Sequence, residues 1–384
     1  MTAWIVDADS HVTEAPDVWT ARIPSRYGAL IPRVERDPET GIDVWFINDE
    51  PSDATVGGGA VAGWPEPYPS RPRNLDEIPP GAWIASDRLA FMDSAGIWAQ
   101  VLYPNVGGFG NAAFLRMPDP ELRLLCVQAY NDWLVEWASA DSRRLLPIMA
   151  TPFWDVDASV TEIQRCAAIG HRGILFTGEP HRFGLPYFGD PHWDRFWAAA
   201  QDTGMPVSFH LGSGNMDAFI NPALRAAYGA GAAAARGTVA MFLDNGAQMV
   251  DLLLSGVLPR FPGLQVVSVE SGVGWVPFAL EAVDHCFEQF DVARDLPNYE
   301  GRPSDYFYRQ MFVCYFYERM APRRLADLLG INNVMFETDY PHPICLHEGV
   351  QETIDATFEG VDPKIRHHFT WANAARLYHV DEPA

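Results

Sequence analysis

Three carboxylates and three imidazoles stand where apolar runs of the chain end. They are Asp9 and His11 in "WIVDADSH", His210 in "PVSFHL", Glu270 in "VVSVES", and Asp339 and His342 in "NVMFETDYPH". Each run reads as a short buried strand, and a charged group at its tip is costly unless something pairs with it. Carboxylates brought together without compensation repel one another and rise in pKa. A divalent cation removes the conflict and takes neutral imidazole as a ligand, so the set predicts a metal site. Six candidates exceed one tetrahedral centre, which needs about three protein ligands and an open position. The set is also harder and richer in oxygen than a usual catalytic zinc set. Iron or manganese suits it, and carboxylate-bridged pairs of these metals use the same mixture of ligands. The expected cofactors are two divalent ions, Fe and/or Mn, with Zn as the alternative.

These residues can meet only if the strands that carry them lie side by side. Eight candidate strands are legible: Trp4–His11, Ala99–Asn105, Leu145–Phe153, Arg172–Glu179, Pro206–Leu211, Leu264–Ser271, Met311–Tyr317 and Asn333–Tyr340. Helical spacing separates them. Leu122, Leu125, Cys126, Ala129 and Trp133 follow Asp119-Pro120, a cap and first turn. Val160, Ile163 and Ala167 repeat the spacing, as do Trp193, Phe196, Trp197 and Ala200, and then Val250, Leu253 and Leu254. Steady strand–helix alternation argues for parallel pairing with right-handed crossovers, and eight units predict an α/β fold, the (β/α)8 barrel. No G-x-G-x-x-G follows an early strand to favour a doubly wound sheet. Reactive groups of such barrels lie at the C-terminal strand ends, where the six residues fall.

The 384 residues are read as a single barrel domain, 1–384. A minimal barrel takes roughly 250 residues. The excess is placed in a Pro/Gly/Trp-rich insertion at about 24–80, and in a Gly/Ala-rich segment at about 212–237. The latter reads either as a mobile lid or as a surface loop with a short Ala-rich helix.

A formal charge of −23 argues against nucleic acid or an anionic membrane as partner. The five cysteines are scattered with no C-x-x-C pair, as expected of reduced thiols in the cytoplasm. "MTAWIVDADSH" lacks a basic n-region, so a signal peptide is not expected, and no apolar run has the length to cross a bilayer. Histidines away from the strand ends, His285 included, read as surface or supporting groups.

The motifs D-x-H, "SFHLG", "ESGVGWVP", "ETDYPH" and the closing "NAARLY" resemble the amidohydrolase superfamily. Within it they resemble the amidohydrolase-2 branch that contains aminocarboxymuconate semialdehyde decarboxylase and γ-resorcylate decarboxylase. The resemblance spans Asp9 to Tyr378. It implies metal ligands at Asp9, His11, His210 and Asp339, and a homodimer, or pairing with a paralogous subunit, as the assembly. Asp9 stands where the commonest pattern has His. Glu270 stands where the decarboxylases carry a histidine that acts on the substrate or a metal-bound water.

Three roles for Glu270 follow: a general base in hydrolysis or decarboxylation, a carboxylate bridging two metals with His342 completing the second position, or a structural carboxylate paired with an arginine such as Arg172. One branch that the sequence resembles uses two such metals to activate dioxygen. The leading expectation is a non-haem di-metal monooxygenase that hydroxylates a small, largely apolar organic substrate. The alternative is a metal-dependent hydrolase or non-oxidative decarboxylase with Glu270 as base. An inactive barrel partnering an active paralogue is the non-enzyme reading. Tyr103, Asn105, Glu179, Trp275 and Tyr340 are the candidate substrate contacts, and Phe109, Phe153, Trp154, Phe316 and Tyr317 are further aromatics near the strand ends.

Overall fold

The structure, a computed structural model, describes residues 4–106, 113–213 and 221–383. Its centre is an eight-stranded parallel sheet of β1 (Ile5–His11), β5 (Ile97–Tyr103), β6 (Leu145–Ala150), β7 (Gly173–Phe176), β8 (Val207–His210), β9 (Val266–Val269), β10 (Met311–Tyr315) and β11 (Val334–Phe336). The strands neighbour one another in chain order. A parallel bridge between Ser10 and Tyr340 brings β11 back to β1, so the sheet rolls into a nearly closed (β/α)8 barrel. Every residue of β1, β6, β8 and β9 is buried, and β6 (LLPIMA) accordingly reads as an unbroken apolar run instead of an alternating one.

Two cores hold the barrel. Inside it Val6, Ala8, Val101, Leu146, Val267, Phe312 and Met335 pack together, stoppered from below by Trp371, Leu377 and Tyr378 of the C-terminal helical segment. Outside it the strands pack on helices 120–138, 156–169, 194–203, 230–253 and 276–289. Asp119 caps the first of these, accepting from the Glu121 and Leu122 amides. Burying one leucine-sized side chain in such a layer stabilises by about 2 kcal/mol.

The closure of the barrel depends on a buried carboxylate. Asp7 accepts from the Thr338 amide at 2.8 Å, the Thr338 hydroxyl at 2.6 Å and Gln100 Nε2 at 2.7 Å. Gln100 Oε1 in turn accepts from Arg88, whose guanidinium also donates to the Gly81 and His11 carbonyls. Arg88 is fully buried, and it ties the segment just after the insertion to the C-terminal end of β1 and to β5.

The insertion is more ordered than its composition suggests. It forms an antiparallel sheet of β2 (Arg33–Arg36), β3 (Asp43–Ile47) and β4 (Glu50–Thr55). The strands are short, and a register shift between Val44 and Phe46 breaks the period-two signal that would reveal them. The Gly/Ala-rich segment also differs from a loop. Residues 214–220 lie outside the described residues, but Pro222–Tyr228 and Ala230–Leu253 are helices. Alanine has the highest helix propensity, and five alanines in the first turns of the longer helix decide it. Among the described residues no helix is long and apolar enough to cross a membrane.

His171, between helix 156–169 and β7, gives the fold a pH dependence. Burial pulls its pKa down to about 4, while its Nε2 donates to the Asn131 carbonyl at 3.1 Å. An unfolded chain takes up this proton near pH 6.5 and the folded chain only near 4. The stabilising contribution is therefore complete above pH 6.5 and lost as pH falls towards 4, up to about 3 kcal/mol. Denaturant titrations at pH 7.5 and 5 should show a shallower acid loss for His171→Asn than for the natural protein. Equal losses would remove His171 from the account.

Candidate metal centre

β1 delivers two of the six residues through an irregularity. Its register with β5 shifts between Asp7 and Ser10. Val6 and Ala8 face the barrel interior, and after the shift Asp9 and His11 do so. Ser10 instead turns outward to the Val101 carbonyl and Arg88. His210 ends β8. Glu270 follows β9 and Asp339 follows β11, both with positive φ, 54° and 57°. Left-handed backbone is uncommon outside glycine and costs of order 1–3 kcal/mol where the surroundings impose it. Here it turns both carboxylates inward at the rim.

The ring nitrogens settle what converges there. His11 Nδ1 faces the Pro104 carbonyl at 3.0 Å and His210 Nδ1 the Leu211 carbonyl at 2.8 Å. Carbonyls only accept, so both Nδ1 atoms donate and both Nε2 atoms of the neutral rings present lone pairs. These Nε2 atoms are 3.1 Å apart, and lie 3.5 Å and 3.3 Å from Asp9 Oδ1. His342 repeats the device in reverse. Its Nε2 donates to Asn105 Oδ1 at 2.7 Å, and its Nδ1 lies 3.0 Å from Asp339 Oδ1. The His342 and His11 rings stack with centroids 3.7 Å apart. Neither Asp9 Oδ2 nor Asp339 Oδ2 receives a hydrogen bond from the described residues.

Two overlapping quartets result, Asp9–His11–His210–Glu270 and His11–Glu270–Asp339–His342, each with its ligand atoms within 4.8 Å of one another. All are buried. Burial, then the charge of Asp339, pushes Glu270 well above the usual carboxylate range; burial, then Asp9, does the same to Asp339. Burial and the neighbouring imidazoles hold His11 far below its ordinary value, and burial brings His342 down to about 3. Burial also lowers His210, but Asp9 outweighs it and the net shift is upward. Acceptors crowded in a buried site take up protons, or a cation in their place. The donor set, with each imidazole oriented by a hydrogen bond from its other nitrogen, fits a divalent metal.

The six sequence candidates therefore meet. Glu270 has His210 Nδ1 beside it at 3.7 Å instead of Arg172. Glu337 was not foreseen: fully buried just past β11, it accepts the Glu270 amide at 3.1 Å and holds that strained residue. The sequence offered only its place two residues before Asp339.

A cavity of about 710 Å³ opens above the cluster, and Glu270 and His342 form part of its wall. The rest is mainly apolar: Val56, Val106, Leu211, Met241, Phe242, Tyr317 and Ile344, with helix 230–253 along one side. Of the candidate substrate contacts, Asn105 lines this cavity. The others are placed elsewhere. Tyr103 lies inside the barrel with its hydroxyl 2.9 Å from Ser208 Oγ. Glu179 pairs with Arg182 at 2.7 Å. Trp275 packs on Gly246 and donates to the Gly272 carbonyl. Tyr340 stacks on Phe91 beneath Arg88. Of the further aromatics Tyr317 is on the wall, Phe316 packs behind it on Phe242, Phe153 is in the outer core, Trp154 packs against Arg123, and Phe109 lies outside the described residues. His285 is exposed on helix 276–289.

Gly59 approaches this wall closely. A Cβ there would come 3.0 Å from both Asn105 Oδ1 and His342 Nε2. Gly59→Ala should rotate the His342 ring away from Asn105 while leaving the fold intact, because the collision involves two side-chain ends. A crystal structure of the variant checks this, and an unmoved ring would refute it.

Comparison with known proteins agrees with this architecture. A sequence model of the amidohydrolase family matches residues 6–380. A 2-amino-3-carboxymuconate-6-semialdehyde decarboxylase from Dictyostelium discoideum is 23% identical over 296 residues, 74% of this chain and 76% of the relative. An amidohydrolase from Mycobacterium avium subsp. paratuberculosis superposes with a TM-score of 0.74 at 20% identity, covering 98% of this chain and 100% of that one. A dihydroxybenzoic acid decarboxylase from Polaromonas sp., solved with manganese and the inhibitor 2-nitroresorcinol, gives a TM-score of 0.64 at 16% identity, covering 99% and 98%. With a barrel closed on an acceptor-rich cluster and a family match running almost from end to end, the chain belongs to the amidohydrolase family.

Proposed function

We infer that this protein is an enzyme that uses a divalent metal to cleave a small, largely apolar organic substrate without net oxidation, by decarboxylation or hydrolysis. The observation that carries the reading is that Glu270 and His342 belong both to the ligand cluster and to the cavity wall. Substrate in the cavity would thus touch groups that would also hold a cation. A cation held there supplies a Lewis acid and lowers the pKa of water.

The chain's own residues supply positioning and proton movement. Glu270 is the carboxylate on the cavity wall, and burial gives it a proton affinity above that of a free carboxylate. It can take a proton from water in a hydrolysis, or return one to carbon after carbon dioxide leaves. His11 stays neutral and serves as a ligand, not an acid. The apolar wall excludes bulk water around the reacting bond. The names of the relatives support this non-oxidative reading over hydroxylation.

A second reading rests on a separate observation. His11 offers one ligand nitrogen and is counted in both quartets, whereas Glu270 has two carboxylate oxygens. Asp9, His11 and His210 would hold one divalent ion and Asp339 and His342 a second, with Glu270 shared, and Fe or Mn there would supply redox chemistry, or Zn a Lewis acid.

Metal analysis of protein purified without added metal, followed by assays of candidate acids and esters in an oxygen electrode, separates the two. The non-oxidative reading expects turnover that stops on chelation and proceeds with no oxygen uptake. Oxygen consumed in step with product would overturn it in favour of the second. Glu270→Gln should keep its metal and lose about 100-fold to 10,000-fold in kcat, the usual range for a lost acid–base group. Loss of half the bound metal would mark Glu270 as the bridge.

A further inference from the structure

Asn245 stands in the second half of helix 230–253, the helix that forms one side of the cavity. Asparagine is a poor helix former, and this one is buried where the helix meets the barrel strands. Its Nδ2 lies 3.2 Å from the Phe209 carbonyl, 3.3 Å from the Val269 carbonyl, 3.1 Å from Ser268 Oγ and 3.0 Å from Ser271 Oγ. Carbonyls only accept, so the donating end of the amide faces the strands. Phe209 immediately precedes His210, and Val269 and Ser271 flank Glu270. One side-chain amide thus grips the chain beside two residues of the cluster, where His210 Nδ1 and Glu270 Oε2 are 3.7 Å apart. The two serine hydroxyls lie 2.6 Å from each other and close the contact. The next residue tightens it. A Cβ on Gly246 would come 3.0 Å from Trp275, so glycine lets that ring lie against the helix, and Trp275 Nε1 donates to the Gly272 carbonyl at 3.0 Å. Glu318 accepts the Val273 and Gly274 amides at 3.0 Å farther along the same loop. Glu337 and Glu318 each hold the loop of Glu270 alone; Asn245 also reaches the strand that carries His210.

We propose that Asn245 is a positioning residue: it sets the separation of His210 and Glu270 and fastens both to the helix that walls the cavity. This rests on the reading of the cluster as a metal centre and adds the side chain that holds two of its corners in register. Groups that bind one ion must be held to within about 0.5 Å of their working places. Strand pairing alone does not do this for Glu270, which lies past the end of β9 in left-handed backbone. The amide supplies the missing constraint, because it bonds to the chain on both sides of Glu270 and to the carbonyl just before His210. Asn245 acts through these two residues and takes no part in the chemistry at the substrate.

The test uses the full chain, Mn2+ as the probe, and two variants. Asn245→Leu nearly keeps the side chain's size and removes the donor, while Ser271→Ala cuts only the link to the loop. Crystal structures of the metal-free proteins should show the His210 Nδ1 to Glu270 Oε2 separation lengthened in Asn245→Leu and, by less, in Ser271→Ala. Mn2+ affinity measured by calorimetry should fall about 10-fold to 100-fold in Asn245→Leu, the usual effect of removing a group that orients metal ligands, and by a smaller factor in Ser271→Ala. Asn373→Leu is the control. That buried asparagine donates to the Ile331 and Val334 carbonyls at the start of β11, so its loss should lower the melting temperature and leave Mn2+ affinity unchanged. An unmoved Glu270 with unchanged affinity overturns the proposal. So does an equal loss of affinity in Asn373→Leu, which would mark a general effect of destabilisation. If Asn245→Leu does not fold, the structure and affinity of Ser271→Ala decide. Absence of Mn2+ binding by the natural protein would sink the metal-dependent reading, and the separations in the metal-free crystals would still decide the role of Asn245.

Discussion

Lone pairs face lone pairs at the C-terminal end of this barrel, and much of the structure exists to keep them there. His11 and His210 each spend their Nδ1 proton on a backbone carbonyl, so their Nε2 atoms meet at 3.1 Å with Asp9 beside them. Buried imidazoles and carboxylates crowded this closely are a costly arrangement for a protein to hold. They persist because the scaffold is rigid on every side. Asp7 fastens the end of β11 to β1, Arg88 fastens the segment just after the insertion to β1 and β5, and Glu337 holds the strained backbone of Glu270. A cation relieves the repulsion that this scaffold imposes, which links the stability of the rim to its chemistry.

The same scaffold decides what reaches the cluster. The insertion and helix 230–253 raise walls above the strand ends, and the approach of both depends on small residues. Gly57 and Gly59 let one loop touch Pro72 on one side and His342 on the other, while Gly231, Ala234 and Ala235 leave room on the helical side. Large side chains at these points would fill the space where Glu270 and His342 meet the cavity.

The eight barrel strands and the six cluster residues were legible because charged groups at the ends of buried apolar runs are exceptional, and β-branched runs between helical patterns are easy to delimit. Glu337 was hidden by the same pattern: it lies in "FETD" beside Asp339, and sequence alone does not tell which of two nearby carboxylates turns inward. Tyr103, Trp275 and Tyr340 were plausible substrate contacts for their place near strand ends, yet each points into protein. An aromatic residue is equally at home in a core and on a pocket wall, so its type does not reveal its direction. β2, β3 and β4 were missed since their alternation is broken by a register shift and by Pro51.

By itself the sequence determined the barrel, the family resemblance and the identity of the acceptors, for these follow from periodicity and residue type, which are local properties. Tertiary structure decided which acceptors share a centre, that Glu270 stands on both the cluster and the cavity wall, and that Arg71 overlooks the same cavity from the insertion. Those are relations between segments some 200 residues apart, as with Glu270 and Arg71. They depend on a register shift in β1, on two left-handed residues and on glycines that let loops close together, and each of these acts through distances that no local pattern encodes.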